Sequence, residues 1–470
     1  MTLLVLLPAL FAAYFAHTRS PQLAFVGVYI PVLLWFPSHF QWKPPLIPDP
    51  SFAEASALAV LALLIVKGIQ HYRFTVTDGL VFTFVLFVSL SEYAALGYKE
   101  AQNLMASMFL SVLVPYLLAK LLIEPYQLRT TLAKIIVIVL CIIAVLMIYE
   151  LFFRQGHGLW QKALGPFFGQ GWTRDTEHRW GLTRAEGPFL HPIMAGMIMV
   201  IGFRLHRWLT WQHAWPAKPI KNWPRLPLPS FMAALLLLGM VSTLSRGPWL
   251  SAAVSILIIF ILVHVVKLAR QPLKRYILLL AILILAVLLG LAADEAIKRF
   301  ASISTEEAAE SSQELQTVAY RFELLTTYGE VILERWLLGW GRLGWPQDKF
   351  QWSVDNYYLL LALNHGIISV TCFTSLFLYL MAKLLNRALH QPTSKTPETE
   401  FSMTLLALLV AHLIFIATVA LFQTNLTLLF ILFGWCDAYL QTSSQPVPTS
   451  STPYSQPDFT SNRFHFQRTL

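Results

Sequence analysis

The sequence predicts an all-α polytopic membrane protein of about 12–13 transmembrane helices, with one large outward loop that contains an amphipathic helix. Three observations lead there. Of the 470 residues, 56% are hydrophobic and only 13% are Asp, Glu, Lys or Arg, for a mean hydropathy of +0.59. A soluble domain carries about 25% charged residues, so this chain lacks the charge to cover a water-facing surface. The apolar residues gather into repeated runs that, at about 1.5 Å per helical residue, match a hydrocarbon core of ~30 Å. Finally, the basic residues alternate from loop to loop, as a membrane topology requires. A soluble enzyme, a disordered scaffold and a disulfide-framed secreted protein are excluded.

The candidate spans are 2–16, 22–38, 53–69, 79–96, 103–123, 132–153, 189–208, 230–245, 248–267, 276–293, 357–383, 402–422 and 426–440. The first two are short, and the first has no basic region before it, which argues against a cleaved signal peptide. Cys141, Cys372 and Cys436 all fall inside apolar runs, where cysteine is a small hydrophobic filler. The net charge of +9 is scattered among loops, so it reports topology and not nucleic-acid binding. Lys67, His71 and Arg73 share one loop, and Lys120, Arg129 and Lys134 flank the next. Three more basic loops centre on Arg204 to Arg225, Lys267 to Arg275, and Lys383 to Lys395. The positive-inside rule places these in the cytoplasm.

The chain then divides into N-terminal transmembrane helices (1–153), a periplasmic loop (154–188), core transmembrane helices (189–293), a large periplasmic loop (294–356), C-terminal transmembrane helices (357–440) and a tail (441–470). The tail is rich in Ser, Pro, Thr and Gln without apolar period, and reads as disordered. In the large loop Val318, Phe322, Leu325, Ile332 and Trp336 recur at helical spacing, which predicts an amphipathic helix on the membrane surface or over the bundle.

Four stretches carry candidate chemistry. Arg184, Glu186 and His191 sit where a loop enters a span. Ionisable groups at that depth are functional candidates, although an interfacial Arg and His can also snorkel to the headgroups. Ser245-Arg246-Gly247-Pro248 puts one Arg between two spans: a hairpin tip, or an anion site in which the guanidinium fork meets phosphate oxygens. Gly339-Trp340-Gly341-Arg342-Leu343-Gly344 has the letters of a dinucleotide loop but follows a helix, not a strand, so a flexible aromatic turn fits better. Asp355-Asn356 stands where the long loop re-enters the membrane. It could cap a helix, bind sugar hydroxyls or act as a general base. No cluster of Asp or Glu with divalent-metal spacing appears in these loops, so neither metal nor cofactor is expected and Arg would neutralise a leaving group.

These stretches, RAEGPFLHPIMAG at 184–196, LSRGPWLSA at 244–252, YRFELLTTYGEVILERWLLGWG at 320–341 and VDNYYLLLALNHGIISV at 354–370, resemble in order the core of the O-antigen ligase and polymerase superfamily. These are bacterial integral-membrane glycosyltransferases of the GT-C type. The resemblance implies an inner-membrane enzyme with its active site facing the periplasm and a saccharide on undecaprenyl diphosphate as donor. The glycan passes with inversion, without metal, to another lipid-linked unit or to the lipid A core, and a chain-length regulator protein is an implied partner. It also implies that Arg184, Arg246 and Arg321 hold the diphosphate. Asp355, or else His191, would take the acceptor proton. Asn356, Tyr357, Trp172 and Trp345 are the candidates for positioning sugars. Ligases typically carry His-Asn where this chain has Asp355-Asn356, and the Asp form looks more like the polymerase branch. Polymerase is therefore the preferred expectation and ligase the alternative. A flippase for the same lipid-linked sugar is the rival of a different class. It fits less well, because no internal repeat is visible and the candidate residues collect on one side.

Overall fold

The computed structural model describes residues 2–44, 49–70, 72–153, 158–168, 177–216, 227–269, 327–342, 344–346, 354–390 and 397–442. Arg321, Trp172, the predicted span 276–293, the first part of the predicted amphipathic helix and the tail beyond 442 lie outside them.

The described chain is helical apart from one two-strand hairpin. In order, the helices are α1 (Thr2–Thr18), α2 (Pro21–Trp35), α3 (Phe52–Lys67), α4 (Val76–Leu96), α5 (Tyr98–Leu122) and α6 (Arg129–Phe153). Then come α7 (Leu159–Phe168), α8 (Pro192–Trp211), α9 (Leu228–Ser242), α10 (Arg246–Ala269), a short α11 (327–334), α12 (Tyr357–His390), α13 (Pro397–Ile416) and α14 (Gln423–Thr442). Every predicted span except 276–293 coincides with one of these helices. Six of them, α4, α5, α6, α10, α12 and α13, are long and apolar enough to cross a bilayer, and α1, α2 and α9 are shorter apolar helices. The protein is a multi-pass membrane protein.

Local sequence explains where the helices start. Ser51 caps α3 and Thr75 caps α4, each in a reciprocal box with an acid three residues on, Glu54 and Asp78. Lipid-facing surfaces follow from composition: on α6, Ile138, Ile142, Val145 and Tyr149 are exposed along one stripe while Leu140, Ala144 and Met147 are buried. A helix apolar all round has this arrangement only when its outer face meets hydrocarbon. By contrast α8 and α14 are enclosed by the others over nearly their whole length. That shielding from lipid lets them carry Arg204, His206, Asn425 and Asp437. The three cysteines are free and buried in helices.

The segment 154–188 carries secondary structure in its described residues, 158–168 and 177–188. It contains α7, whose Phe168 packs on Phe40 and Phe52 with centroids 4.9 and 5.7 Å apart. It also contains the hairpin, strands β1 (His178–Arg179) and β2 (Leu182–Thr183), turned by Trp180 and Gly181, both at positive φ (54° and 76°).

One end of the bundle is locked by buried charge. Lys120 pairs with Asp78 and, at 2.8 Å, with Asp437; all three are buried. Asp78 also accepts from the Tyr116 hydroxyl at 2.7 Å, and Thr75 Oγ1 donates to Asp437 at 3.1 Å, so α4, α5 and α14 are tied together. Nearby, Arg129 is bidentate to Glu124 (3.0 and 2.6 Å) and reaches Glu398 at 3.0 Å, joining α6 to α13. Removing one member of such a buried pair strands its partners, at a typical cost of about 3–5 kcal/mol. Lys120→Met should therefore sharply lower the thermal stability of detergent-solubilised protein. Asp437→Asn, which leaves the Asp78–Lys120 pair intact, should lower it much less. Equal losses would mean the Lys120–Asp78 contact contributes little.

Candidate active site at the Arg246 end of the bundle

The opposite end holds most of the residues singled out by sequence. Gly247 follows Arg246 in the first turn of α10; a Cβ there would lie 3.1 Å from Thr418 Oγ1 and 4.0 Å from Ile193. Pro248 lies against Gly196, where a Cβ would meet it at 2.7 Å, so the N-terminal turns of α8 and α10 touch. The Tyr358 hydroxyl donates to Leu413 O at 3.4 Å, which brings the start of α12 beside the end of α13. His191, Arg246 and Asp355 therefore lie at three helix starts on one end of the bundle, around residues 413–418.

Within that cluster the residues differ in what they can do. Arg246 is exposed and opens α10. Its guanidinium stands at a helix N-terminus, where the macrodipole and the first-turn N–H groups add positive potential. Ser245-Arg246-Gly247-Pro248 is thus a short turn running into a helix.

Arg184, by contrast, is 7% exposed and its fork is directed into the protein. Nε donates to Thr243 O at 3.2 Å, Nη2 to Ser245 Oγ at 2.7 Å, and Nη1 pairs with Glu177. Arg179 Nη1 donates to Leu244 O at 2.6 Å, and the Ala185 amide to Ser242 O at 3.0 Å. Leu244 sits in the left-handed region at φ 48°, a strained conformation for leucine that these bonds hold in place. The hairpin segment therefore cross-braces the 242–245 turn that presents Arg246. Arg184, expected from sequence to contact the diphosphate, has its guanidinium bonded to the turn and to Glu177 in this structure.

His191 caps α8, its Nδ1 accepting from Ile193 N at 3.0 Å. The proton is then on Nε2, which faces Glu177 Oε1 at 3.5 Å. In that tautomer no ring lone pair is open to an acceptor hydroxyl, so His191 is poorly placed as a general base. Asp355 is exposed. Asn356 caps α12, its Oδ1 accepting from Tyr358 N and Leu359 N at 3.0 and 3.2 Å; the capping reading of Asp355-Asn356 holds for the Asn. Tyr357 is buried edge-on against Phe373, with centroids 5.3 Å apart, and Trp345 is buried edge-on against Tyr328 at 5.6 Å. Both rings pack against aromatic neighbours.

Two carboxylates escaped sequence reading. Glu177 joins Arg184 and His191. Glu150, fully buried near the end of α6, accepts backbone N–H groups from Leu159 (3.2 Å), Glu186 (3.3 Å) and Gly187 (2.9 Å). A lone Glu near the end of a hydrophobic run was the only signal for it.

Residues 336–342 of the long loop also dock here. α12 is broken at Gly366 (φ 70°), and residues 336–341 pair with the break. Trp340 N donates to Leu363 O at 2.9 Å, Gly341 N to Asn364 O at 2.8 Å, and Ile367 N to Trp336 O at 2.8 Å. A Cβ on Gly366 would lie 2.2 Å from Leu337 O, and one on Gly339 would lie 2.5 Å from Asn364 O. The glycines of 339–344 thus allow a close backbone approach, and the flexible turn expected there is a fixed plug. Arg342 anchors it on buried Glu92 of α4 at 2.7 Å. Of the amphipathic helix, α11 buries Tyr328 and Val331 and leaves Leu333 exposed, and Trp336, in the turn just past it, is exposed as well.

The brace makes a separable prediction. Arg184→Gln removes a buried guanidinium and leaves Glu177 and Thr243 O under-bonded, a loss of about 1–3 kcal/mol. Limited proteolysis should then cut faster between 177 and 187. Arg246→Gln, at an exposed position, should leave the cleavage rate unchanged. Equal protection in both variants would remove the bracing role of Arg184.

No curated protein matches the chain. Residues 231–374, which run from α9 to the middle of α12, match the family described as O-antigen ligase. Over that stretch this multi-pass helical protein is similar to the O-antigen ligase family.

Proposed function

We propose that the protein is a membrane glycosyltransferase that moves a saccharide from a polyprenyl diphosphate carrier to a sugar hydroxyl, extending a cell-surface polysaccharide by repeat units. The observation that carries this reading is Arg246: an exposed guanidinium at the first residue of a long helix, held by a braced turn. In the reaction the acceptor oxygen attacks the anomeric carbon, and the bond from that carbon to the diphosphate oxygen breaks. The proton leaves the acceptor, and negative charge grows on the departing diphosphate. A fixed cation and the N–H groups of a helix start, already oriented, stabilise that charge without reorganisation. Arg321, on the resemblance, would add a second cation. Asp355, exposed beside the start of α12, would accept the proton. Arg184 and His191 act as positioning residues, through the 242–245 turn and the start of α8. Transfer to the lipid A core is the alternative outcome of the same chemistry. The site would face the periplasm if the basic loops at the Lys120 end are cytoplasmic.

The test uses a deletion strain complemented with variants, with surface polysaccharide and lipid-linked intermediates resolved by size. Loss of long polymer with accumulation of single units indicates polymerisation. Long polymer stranded on the carrier indicates ligation. Removing one donor of this kind typically lowers rate about 10²–10³-fold, so Arg246→Ala should be as defective as the deletion and Arg246→Lys partly active. Asp355→Asn should also be defective. Full rescue by Arg246→Ala would overturn the diphosphate role. Absence of transfer by purified wild-type protein supplied with the lipid-linked donor would favour a flippase.

A further inference from the structure

A second cavity opens at the Arg246 end, between α2, α3, α5 and α14. Its empty space, counted with the open mouth, is about 510 Å³. It adjoins the candidate active site through the α13–α14 turn: Thr418 lies against Gly247, and five residues later Gln423 lines this cavity.

The lining has a distinct chemistry. Ser38, Ser107, Ser111 and Thr427 offer hydroxyls, Gln423 an amide and Glu54 a carboxylate, and among the described residues no Lys or Arg contributes. Such a wall repels a diphosphate and gives an acyl chain nothing in return for stripping water from its polar groups. Groups that both donate and accept suit a neutral polyol, and the rings of Tyr29 and Phe36 add flat apolar wall. Glu54 is fixed in place: Oε2 accepts from Ser51 N and Oε1 from Ser111 Oγ, each at 2.8 Å.

The backbone is irregular at the same place, and this is an independent observation. The described chain has two π-helical turns, Phe25–Tyr29 in α2 and Phe109–Leu113 in α5. Both line this cavity, through Tyr29 and through Leu110 and Ser111. Gln423, on the facing helix, sits at φ 41°. Inserted π-turns re-aim side chains and concentrate at functional sites, and a non-glycine residue at positive φ is strain the fold must hold. Three such irregularities around one polar cavity mark a built site.

We infer that this cavity is a saccharide subsite, which takes an uncharged sugar unit of the glycan while the diphosphate end is held at Arg246. The inference rests on the proposed glycosyl transfer, and the test separates the two. Protein carrying Leu110→p-benzoylphenylalanine, and separately Trp180→p-benzoylphenylalanine beside the Arg246 turn, is placed in nanodiscs. Each is irradiated with lipid extract from the deletion strain, or with the lipid-free oligosaccharide released from that extract, and adducts are read by lectin blot and mass spectrometry. Glycan adducts at both positions are expected. Capture of the lipid-free oligosaccharide at 110 assigns the subsite to the acceptor, and capture from the lipid extract alone assigns it to the donor. Ser111→Val in the 110 background should lower the yield at least tenfold. Ser107→p-benzoylphenylalanine repeats the measurement should the 110 variant fail to elute as a single species. Glycan capture at 180 with only phospholipid, or nothing, at 110 and 107 overturns the subsite and leaves the transferase reading standing. No glycan at any position overturns that reading as well.

Discussion

No water reaches the hydrocarbon core of a bilayer, so each backbone group freed by an interrupted helix must find its partner inside the protein. The architecture at the Arg246 end follows from that constraint. α12 breaks at Gly366, and the carbonyls of Leu363 and Asn364 are taken by the amides of Trp340 and Gly341. The 242–245 turn exposes carbonyls between two apolar helices, and Arg179, Arg184 and the Ala185 amide take them. The segment that follows α6 is held by the three amides on Glu150. Each repair brings a loop residue to a defined place, so satisfying the backbone and assembling the site are one event.

Charge is handled differently at the two ends. At the Lys120 end the helices run regularly and three basic groups are paired: Lys120 with two aspartates, Arg129 with two glutamates, Arg387 with Glu398. Buried pairs of this kind add little net stability over an apolar core, but they penalise any register that separates them. They set which helices lie side by side: α4 and α5 with α14, α6 and α12 with α13. At the Arg246 end most cations are likewise absorbed, Arg184 by Glu177 and Arg342 by Glu92. Arg246 stands exposed at a helix start.

Much of the helical order was legible because the apolar runs leave no other fold available. The span 189–208 and the helix Pro192–Trp211 differ by only a few residues. The site was less legible, for physical reasons. Asn356 and His191 are both helix caps, and a polar residue before an apolar run reads the same whether it caps or catalyses. Tyr357 and Trp345 looked available because aromatic residues near a membrane edge are ambiguous, and only packing shows their faces covered. Glu177 and the 178–183 hairpin could not be inferred: Glu177 meets Arg184 only because the hairpin folds back through a two-residue turn with Trp180 at positive φ, and the hairpin's own partner, the 243–245 turn, lies some 60 residues away. The cavity beside α14 is invisible to pattern because its lining comes from helices far apart in sequence.

Arg184 and Arg246 show what sequence alone conceals. Each precedes a Gly-Pro step at the edge of a span, and both read as candidate phosphate ligands. The difference is where the freed carbonyls lie. Those of the 242–245 turn face Arg184, which has Glu177 beside it to balance its charge, so its donors are committed before any substrate arrives. Arg246 lies just past the same turn, on the exposed side, where a helix start supplies more donors and the brace fixes its backbone. A guanidinium that already holds a turn cannot also release its bonds to follow charge onto a leaving group without loosening that turn. The two arginines are therefore complementary: one rigidifies the backbone that the other needs for an oriented field.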